Sequence, residues 1–500
     1  MPTAFGSGSA PVTITTSPNA GATKADTDHK LFSAQGFHWL FFLKKNVEYT
    51  TSRDGTNWSN PTVISSACGD GDNFDVYYDP PSGEIYFVQA LCGARTFTYG
   101  VAKPSAGGTL VWATPLTVVQ VPQATGTYGV SRPTVRPDSL GDIFVAFEGS
   151  VAEAASISIH LMVYEEKSGS WSLVFDHDTK QSGTDWMGSI QEFTSGKMSL
   201  YYGTVNGGWT GYLQDWSGSA WGPPIVFPGK SRLEPMNGAG LTLGDTLYWA
   251  GFNYDDDGIV GFFSHAYGNA TPPSITNLQS AASLIKDGEG CIGSNGNSTL
   301  VAVYASAYGY GPANAIFYRV SNDLGKTWRP EQTLTSGEAG IQGKTLQCSS
   351  ISSSGSVQIA WTSGVLAPYL VRSMNISDVE KQAVTTTTSA TTSSASATAG
   401  SSVTTTSSSA ESAPTSSTTR STGTGTGVPT VVTTTNSSSG QTSPGNGGGI
   451  PEFPFDMLAA VVLPLLTVAW YLWVRRSSPG LARSVLRPDP LRQLGRCVRA

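Results

Sequence analysis

Residues 74–91 read FDVYYD-PPSG-EIYFVQAL, two apolar, aromatic-rich runs around a Pro-Pro-Ser-Gly turn. β-Branched and aromatic residues flanking a Gly-containing turn mark a β-hairpin. Outward from it the same unit recurs at 132–147 (RPTVRPDSLGDIFVAF), 188–203 (GSIQEFTSGKMSLYYG), 238–251 (GAGLTLGDTLYWAG), 290–304 (GCIGSNGNSTLVAVY) and 346–361 (LQCSSISSSGSVQIAW), followed by weaker strand-like runs. With a first unit at 31–67 these make seven segments. Their spacing, roughly 45 to 55 residues, is the period of four-stranded propeller blades. The expected fold is all-β, a β-propeller over residues 31–378, with seven blades preferred. A two-sheet sandwich would explain the alternation but not so regular a period. The last segment offers three strands before residue 376, whereas residues 11–17 (PVTITTS) read as an isolated short strand. Segment 1–30 is therefore expected to supply a closing strand; six blades would follow if the first and last segments merged.

The composition agrees: 57 Gly and 13 Trp in 500 residues, with 13% charged, suit strands and turns rather than helices. The formal charge of −7 is uneven. Residues 475–500 hold seven arginines against Asp489, roughly +6, which leaves about −13 for the rest. So acidic a domain has no electrostatic footprint for nucleic acid. Five cysteines, Cys68, Cys92, Cys291, Cys348 and Cys497, lack the paired spacing of a zinc site and are too few for a disulfide scaffold, although four lie in the repeat region. Sequons at Asn57, Asn269, Asn297, Asn375 and Asn436 become glycosylation sites if the chain is exported.

Past Val384 the periodicity stops. Residues 379–450 read as a disordered stalk, about two-thirds Ser and Thr over 385–443, too polar to bury a core. Residues 457–474 (MLAAVVLPLLTVAWYLWV) form an uncharged apolar run long enough to span a bilayer. Trp470, Tyr471 and Trp473 suit an aromatic belt, and Arg475 and Arg476 put the basic 475–500 tail in the cytoplasm and the repeats outside. Residues 1–30 contain no basic region followed by an apolar one, so an export signal upstream of the given start is expected, with insertion by the C-terminal apolar run as the alternative.

Residues 321–328, Ser-Asn-Asp-Leu-Gly-Lys-Thr-Trp, match every defined position of the Asp-box, Ser-x-Asp-x-Gly-x-Thr-Trp, and Ser52, Asp54, Gly55 and Trp58 form a shortened version. On these motifs the region of about 30–375 resembles sialidase-like Asp-box (BNR repeat) propellers. The resemblance implies that Ser321, Asp323, Gly325, Thr327 and Trp328 are structural and lie on the face away from a ligand site. Sialidases use an arginine triad, a Tyr nucleophile with a Glu partner and an Asp acid/base. The nearest counterpart of their first arginine motif, Phe-Arg-Ile-Pro, is Val130 Ser131 Arg132 Pro133, in the third segment and without the Ile. Catalysis is not carried over. Pro451, Glu452, Phe453 and Pro454 ahead of an apolar run and basic end resemble an archaeal surface-protein sorting signal, apart from the long tail after Arg476.

In a propeller, the loops entering each innermost strand and those joining second to third strands share one rim. Here that rim would carry Asp72, Arg95, Arg132, Asp185, Trp186, Arg232, Glu234, Asp287, Glu289 and Lys344, carboxylates, cations and an indole able to bind a sugar. No cofactor is expected. The alternative is calcium: Asn253, Asp255, Asp257 and Gly258 open like a calcium loop, but Ser264 stands where its bidentate carboxylate should be. Asp176, His177, Asp178, His160 and His265 lack metal-ligand spacing and read as ordinary strand or surface residues. Gly343-Lys344-Thr345 enters a strand rather than a helix, against a phosphate loop.

The function expected is a non-catalytic module binding surface glycans or proteins, with a sialidase-type exo-glycosidase and a structural envelope component as alternatives. Cys68 precedes the innermost strand of its hairpin and Cys92 follows the partner strand, so a ladder turning at residues 80–83 brings both to one rim and predicts a Cys68–Cys92 disulfide.

Overall fold

The computed structural model describes residues 10–376 apart from 25–28, 67–68, 70, 92, 154–156, 182–187, 194–195, 205–209, 228–232, 254–258, 280–288, 295–296, 307–312, 343–344 and 350–354. The stalk, apolar run and basic tail lie outside the described residues, as do Cys68 and Cys92.

The strands form a seven-bladed β-propeller. The innermost strands are Leu31–Ala34, Phe74–Asp79, Val130–Pro137, Gly188–Glu192, Leu233–Leu243, Glu289–Ser294 and Gln347–Cys348, and each blade grows outward through antiparallel neighbours. Blade three is the longest: Val130–Pro137, Ile143–Ala152, Ile157–Lys167 and Ser170–Gln181. The outermost strand of blade seven comes from the N-terminus, Val12–Ser17 pairing antiparallel with Tyr369–Ile376. That exchange removes the need for a separate clasp, because the two chain ends share one sheet.

The core follows from strand alternation. Successive side chains point to opposite faces, and both faces of a blade are covered. Phe144 and Ala146 pack toward blade four with Leu200 and Tyr202, while Val145 and Phe147 pack toward blade two with Val88 and Phe97. Seven apolar clusters result, one at each blade interface. The closing interface between blades seven and one has fewer apolar residues and is supplemented by buried polar bonds. Ser17 Oγ donates to the Leu43 carbonyl at 2.9 Å, Thr23 Oγ1 to the Thr345 carbonyl at 2.8 Å, and Gln347 Oε1 accepts from the Lys30 amide at 2.9 Å.

Turns 52–58 and 321–328 join third to fourth strands in blades one and six. In each, an Asp carboxylate gathers the turn's donors. Asp54 accepts from the amides of Thr56 and Asn57 at 2.9 and 2.7 Å, and these bonds hold its carboxyl well below the usual range. Asp323 accepts from the Thr327 amide and the Ser321 hydroxyl at 2.9 and 2.7 Å. The tryptophans reach the preceding blade: Trp58 Nε1 donates to Ser373 Oγ at 3.0 Å, and Trp328 meets Phe262 edge-on at 5.0 Å.

A Cys291–Cys348 disulfide, with Cα atoms 5.7 Å apart, joins the innermost strands of blades six and seven. The sequence reading left both cysteines unassigned.

Candidate functional site

Residues from all seven innermost strands line a cavity of about 610 Å³ in the central channel. Its wall comes mainly from the C-terminal halves of those strands and the turns that follow, including Phe32, Gln35, Tyr78, Glu192, Thr242 and Ser294. The cavity thus lies toward the end where first and second strands join, the end that also carries turns 52–58 and 321–328, and opposite the rim on which the sequence candidates were placed.

Deep in the wall sits a charged cluster. Period-two alternation in Phe74–Asp79 turns Phe74 and Val76 toward blade one and leaves Asp75 and Tyr77 on the opposite face, toward blade three. Asp75 and Arg136, on neighbouring blades, are 0% and 1% exposed and form an ion pair of 2.8 Å. Asp75 also accepts from the amides of Val76 (2.8 Å), Val135 (2.9 Å) and His29 (3.2 Å), so both carboxylate oxygens are satisfied. Arg136 Nη2 lies 3.2 Å from His29 Nδ1. Burial, reinforced by the Arg136 charge, pushes His29 down to about 4, so its imidazole is neutral and accepts that bond. The guanidinium stacks over Tyr77 at 4.4 Å, while its Nε has no hydrogen-bond partner among the described residues.

Tyr77 Oη donates to Glu192 Oε2 at 3.4 Å. Burial, followed by the Asp79 charge, raises Glu192 to about 8, which keeps most of this carboxyl protonated at neutral pH. Tyr77 is raised well above the usual phenol range by desolvation and the nearby Glu192. Phe32 and Tyr78 stack at 5.2 Å and form an aromatic wall beside these groups. The arrangement offers ring faces, protonated donors and an uncharged carboxyl in one enclosed space.

The rim candidates fare differently. Arg132 stands in a bulge of the innermost strand of blade three, at a positive φ of 51°, with Nη1 3.3 Å from Glu148 Oε2. Left-handed backbone at a residue with a long side chain costs on the order of 1 kcal/mol or more, so the surrounding ladder must hold it there. Arg95 donates to the Thr125 carbonyl at 2.8 Å. Glu234 and Glu289 lie near the starts of the innermost strands Leu233–Leu243 and Glu289–Ser294, and Asn253 ends Thr246–Asn253. Asp185, Trp186, Arg232, Asp287, Lys344, Asp255 and Asp257 lie outside the described residues. The cluster of Asp75, Arg136, His29, Tyr77 and Glu192 escaped sequence reading. Its legible signal was a charged residue within each of three innermost strands, FDVYYD, VSRPTVRP and GSIQE.

No family model matches the sequence, and no curated protein matches it. Solved propellers are similar in backbone. An ulvan lyase of a new polysaccharide lyase family is 10% identical, with 73% of this chain and 96% of that one covered and a TM-score of 0.44. An α-L-arabinofuranosidase from Fusarium graminearum is 12% identical, with coverages of 74% and 98% and a TM-score of 0.41. A Trypanosoma rangeli sialidase in complex with sialic acid is 10% identical, with coverages of 69% and 60% and a TM-score of 0.40.

Proposed function

We propose that the chain is a sialidase-like Asp-box propeller that binds glycans at a cell surface, held by its C-terminal apolar run, with the channel cavity as the sugar site, on the Asp-box end and not on the opposite face that the resemblance implies, and no turnover of what it binds. The observation that carries this is the pairing of the Phe32, Tyr77 and Tyr78 rings with the donors of Arg136 and Glu192 around a cavity of about 610 Å³. Ring faces cover sugar C–H surfaces and the polar groups fix hydroxyls, in a volume usual for small ligands. Because Asp75 neutralises Arg136 and Glu192 is mostly uncharged near pH 7, the wall favours a neutral sugar over an anionic one. The Ser/Thr-rich 379–450 and apolar 457–474 segments motivate display outside the membrane.

The test is a glycan array probed with the full chain in mild detergent. Retention of neutral glycans that disappears in Tyr78→Ala is expected, and a chain that retains none refutes the proposal. Protease shaving of intact cells should remove the propeller and spare the tail.

Glu192 also favours a second reading, a glycosidase, since a carboxyl still protonated near neutral pH suits a general acid, with Asp79 as the neighbouring carboxylate. Turnover of aryl glycosides that is lost in Glu192→Gln would replace binding by catalysis. A purely structural envelope role predicts neither binding nor turnover.

A further inference from the structure

Blade three carries, away from the channel, a group of side chains whose linear spacing hides it. Ile157–Lys167 pairs with Ser170–Gln181 so that His160 lies opposite Asp178 and Met162 opposite Asp176. Because side chains two apart share a face, Asp176 and Asp178 both stand beside His160. The ladder slips between Ile159 and His160, whose partners are Gln181 and Asp178, a bulge directly beside this group. Glu153 follows directly on Ile143–Ala152, whose last amide is tied to Thr125 Oγ1 at 2.9 Å.

One ligand atom from each of Glu153, His160 and Asp178 lies within 4.8 Å of the others. The spacing suits three donors around one ion. A second observation points the same way. His160 Nδ1 is held by Asp176 Oδ1 at 2.7 Å, while Nε2 is shut off from solvent and has no hydrogen-bond partner among the described residues. A carboxylate on one imidazole nitrogen, fixing the ring so that the other can bind, is the usual outer support of a metal-bound histidine. A buried ring nitrogen left unpaired is otherwise costly.

We infer that Glu153, His160 and Asp178 form a binding site for a divalent first-row transition-metal ion such as zinc, with Asp176 as the positioning residue. An imidazole with two carboxylates favours zinc or manganese over calcium, which takes oxygen ligands alone. Three protein ligands leave positions open for water or for an oxygen of a bound molecule. The site sits at the end of blade three where its second and third strands join, so it stands independently of the channel reading.

Full chain stripped with a chelator is titrated with Zn²⁺ by calorimetry, with metal content read by mass spectrometry. One high-affinity equivalent is expected, accompanied by a rise in melting temperature. His160→Ala and Glu153→Gln should abolish that equivalent, and Asp176→Asn should weaken it about 10- to 100-fold. Glu153 is exposed, so Glu153→Gln should fold even if His160→Ala does not. Undiminished Zn²⁺ binding in Glu153→Gln, or no binding of Zn²⁺ or Mn²⁺ by the unmutated chain, overturns the site.

Discussion

Replacing Asp75 by Ala removes the acceptor on which the centre of the propeller converges. In the native chain its buried carboxylate takes bonds from Arg136 Nη1 at 2.8 Å, Val76 N at 2.8 Å, Val135 N at 2.9 Å and His29 N at 3.2 Å. Without it, a guanidinium 1% exposed loses its counter-charge. Breaking a buried pair from one side costs about 3–5 kcal/mol. Each backbone amide left without an acceptor adds about 1–3 kcal/mol where water cannot reach it. The sum is at least about 5 kcal/mol, comparable to the whole stability of an ordinary domain, near 5–15 kcal/mol. Urea unfolding followed by tryptophan fluorescence should therefore show Asp75→Ala largely unfolded or with a much lower midpoint. The double change Asp75→Leu with Arg136→Met removes both charges together and should be more stable than the single one. A loss under about 1 kcal/mol for Asp75→Ala, or a double variant no better than the single, refutes the reasoning that the ion pair is desolvated.

Gly325, at φ +83°, would place an added Cβ 2.3 Å from Phe262 Cζ, so Gly325→Ala should cost about 2–3 kcal/mol in denaturant unfolding, combining left-handed strain with ring displacement. Gly83→Ala, at φ +68° with nothing within 4 Å, should show the strain alone, about 1 kcal/mol. The Cys291–Cys348 bridge spans 57 residues, and replacing both cysteines by Ala should lower stability by about 4 kcal/mol if unfolded-chain entropy dominates. Unchanged denaturation midpoints would exclude that account. Glu192, held near 8 in the folded state against about 4.5 unfolded, keeps its proton on folding, so its contribution is complete below pH 4.5 and is lost as pH rises toward and through 8. Stability relative to Glu192→Gln should fall by at most about 1.4 kcal/mol per pH unit over that window, and a flat difference from pH 5 to 8 would place the carboxyl in water.

The blades were legible because each hairpin had to announce itself locally. FDVYYD and EIYFVQAL are largely buried on both faces, which demands apolar and aromatic residues on each, and Pro80 to Gly83 then supplies the turn. Blade seven was harder to read. Its innermost strand, Gln347–Cys348, is two residues long, and its fourth strand lies more than three hundred residues away at Val12–Ser17. What betrayed that strand was its isolation, a β-forming run with no sequential partner.

The site was poorly legible for a physical reason that also explains its position. Polar and aromatic residues at or between the edges of strand-like runs stand out in a sequence, so Arg132, Asp185 and Trp186 drew attention to a rim. Inner strands instead hide their polar groups among strand-forming residues: Asp75 between Phe74 and Val76, Arg136 between Val135 and Pro137, and Glu192 at the end of Gly188–Glu192 before Phe193. Pairing Asp75 with Arg136 spans 61 residues, and Tyr77 with Glu192 spans 115, distances set by the rotation from blade to blade and not by any motif. The same logic hides Glu153, His160 and Asp178, where register across three strands replaces linear spacing. A charge placed inside a strand buried on both faces has no cheap location except the channel or a paired interface, because alone in the core it would cost several kcal/mol. In a propeller, then, an informative sequence feature is an ionisable residue within an innermost strand. Applied here, that criterion picks out Asp75, Asp79, Arg132, Arg136, Glu192, Glu234 and Glu289, and the register across blades then pairs Asp75 with Arg136 and brings Glu192 to Tyr77.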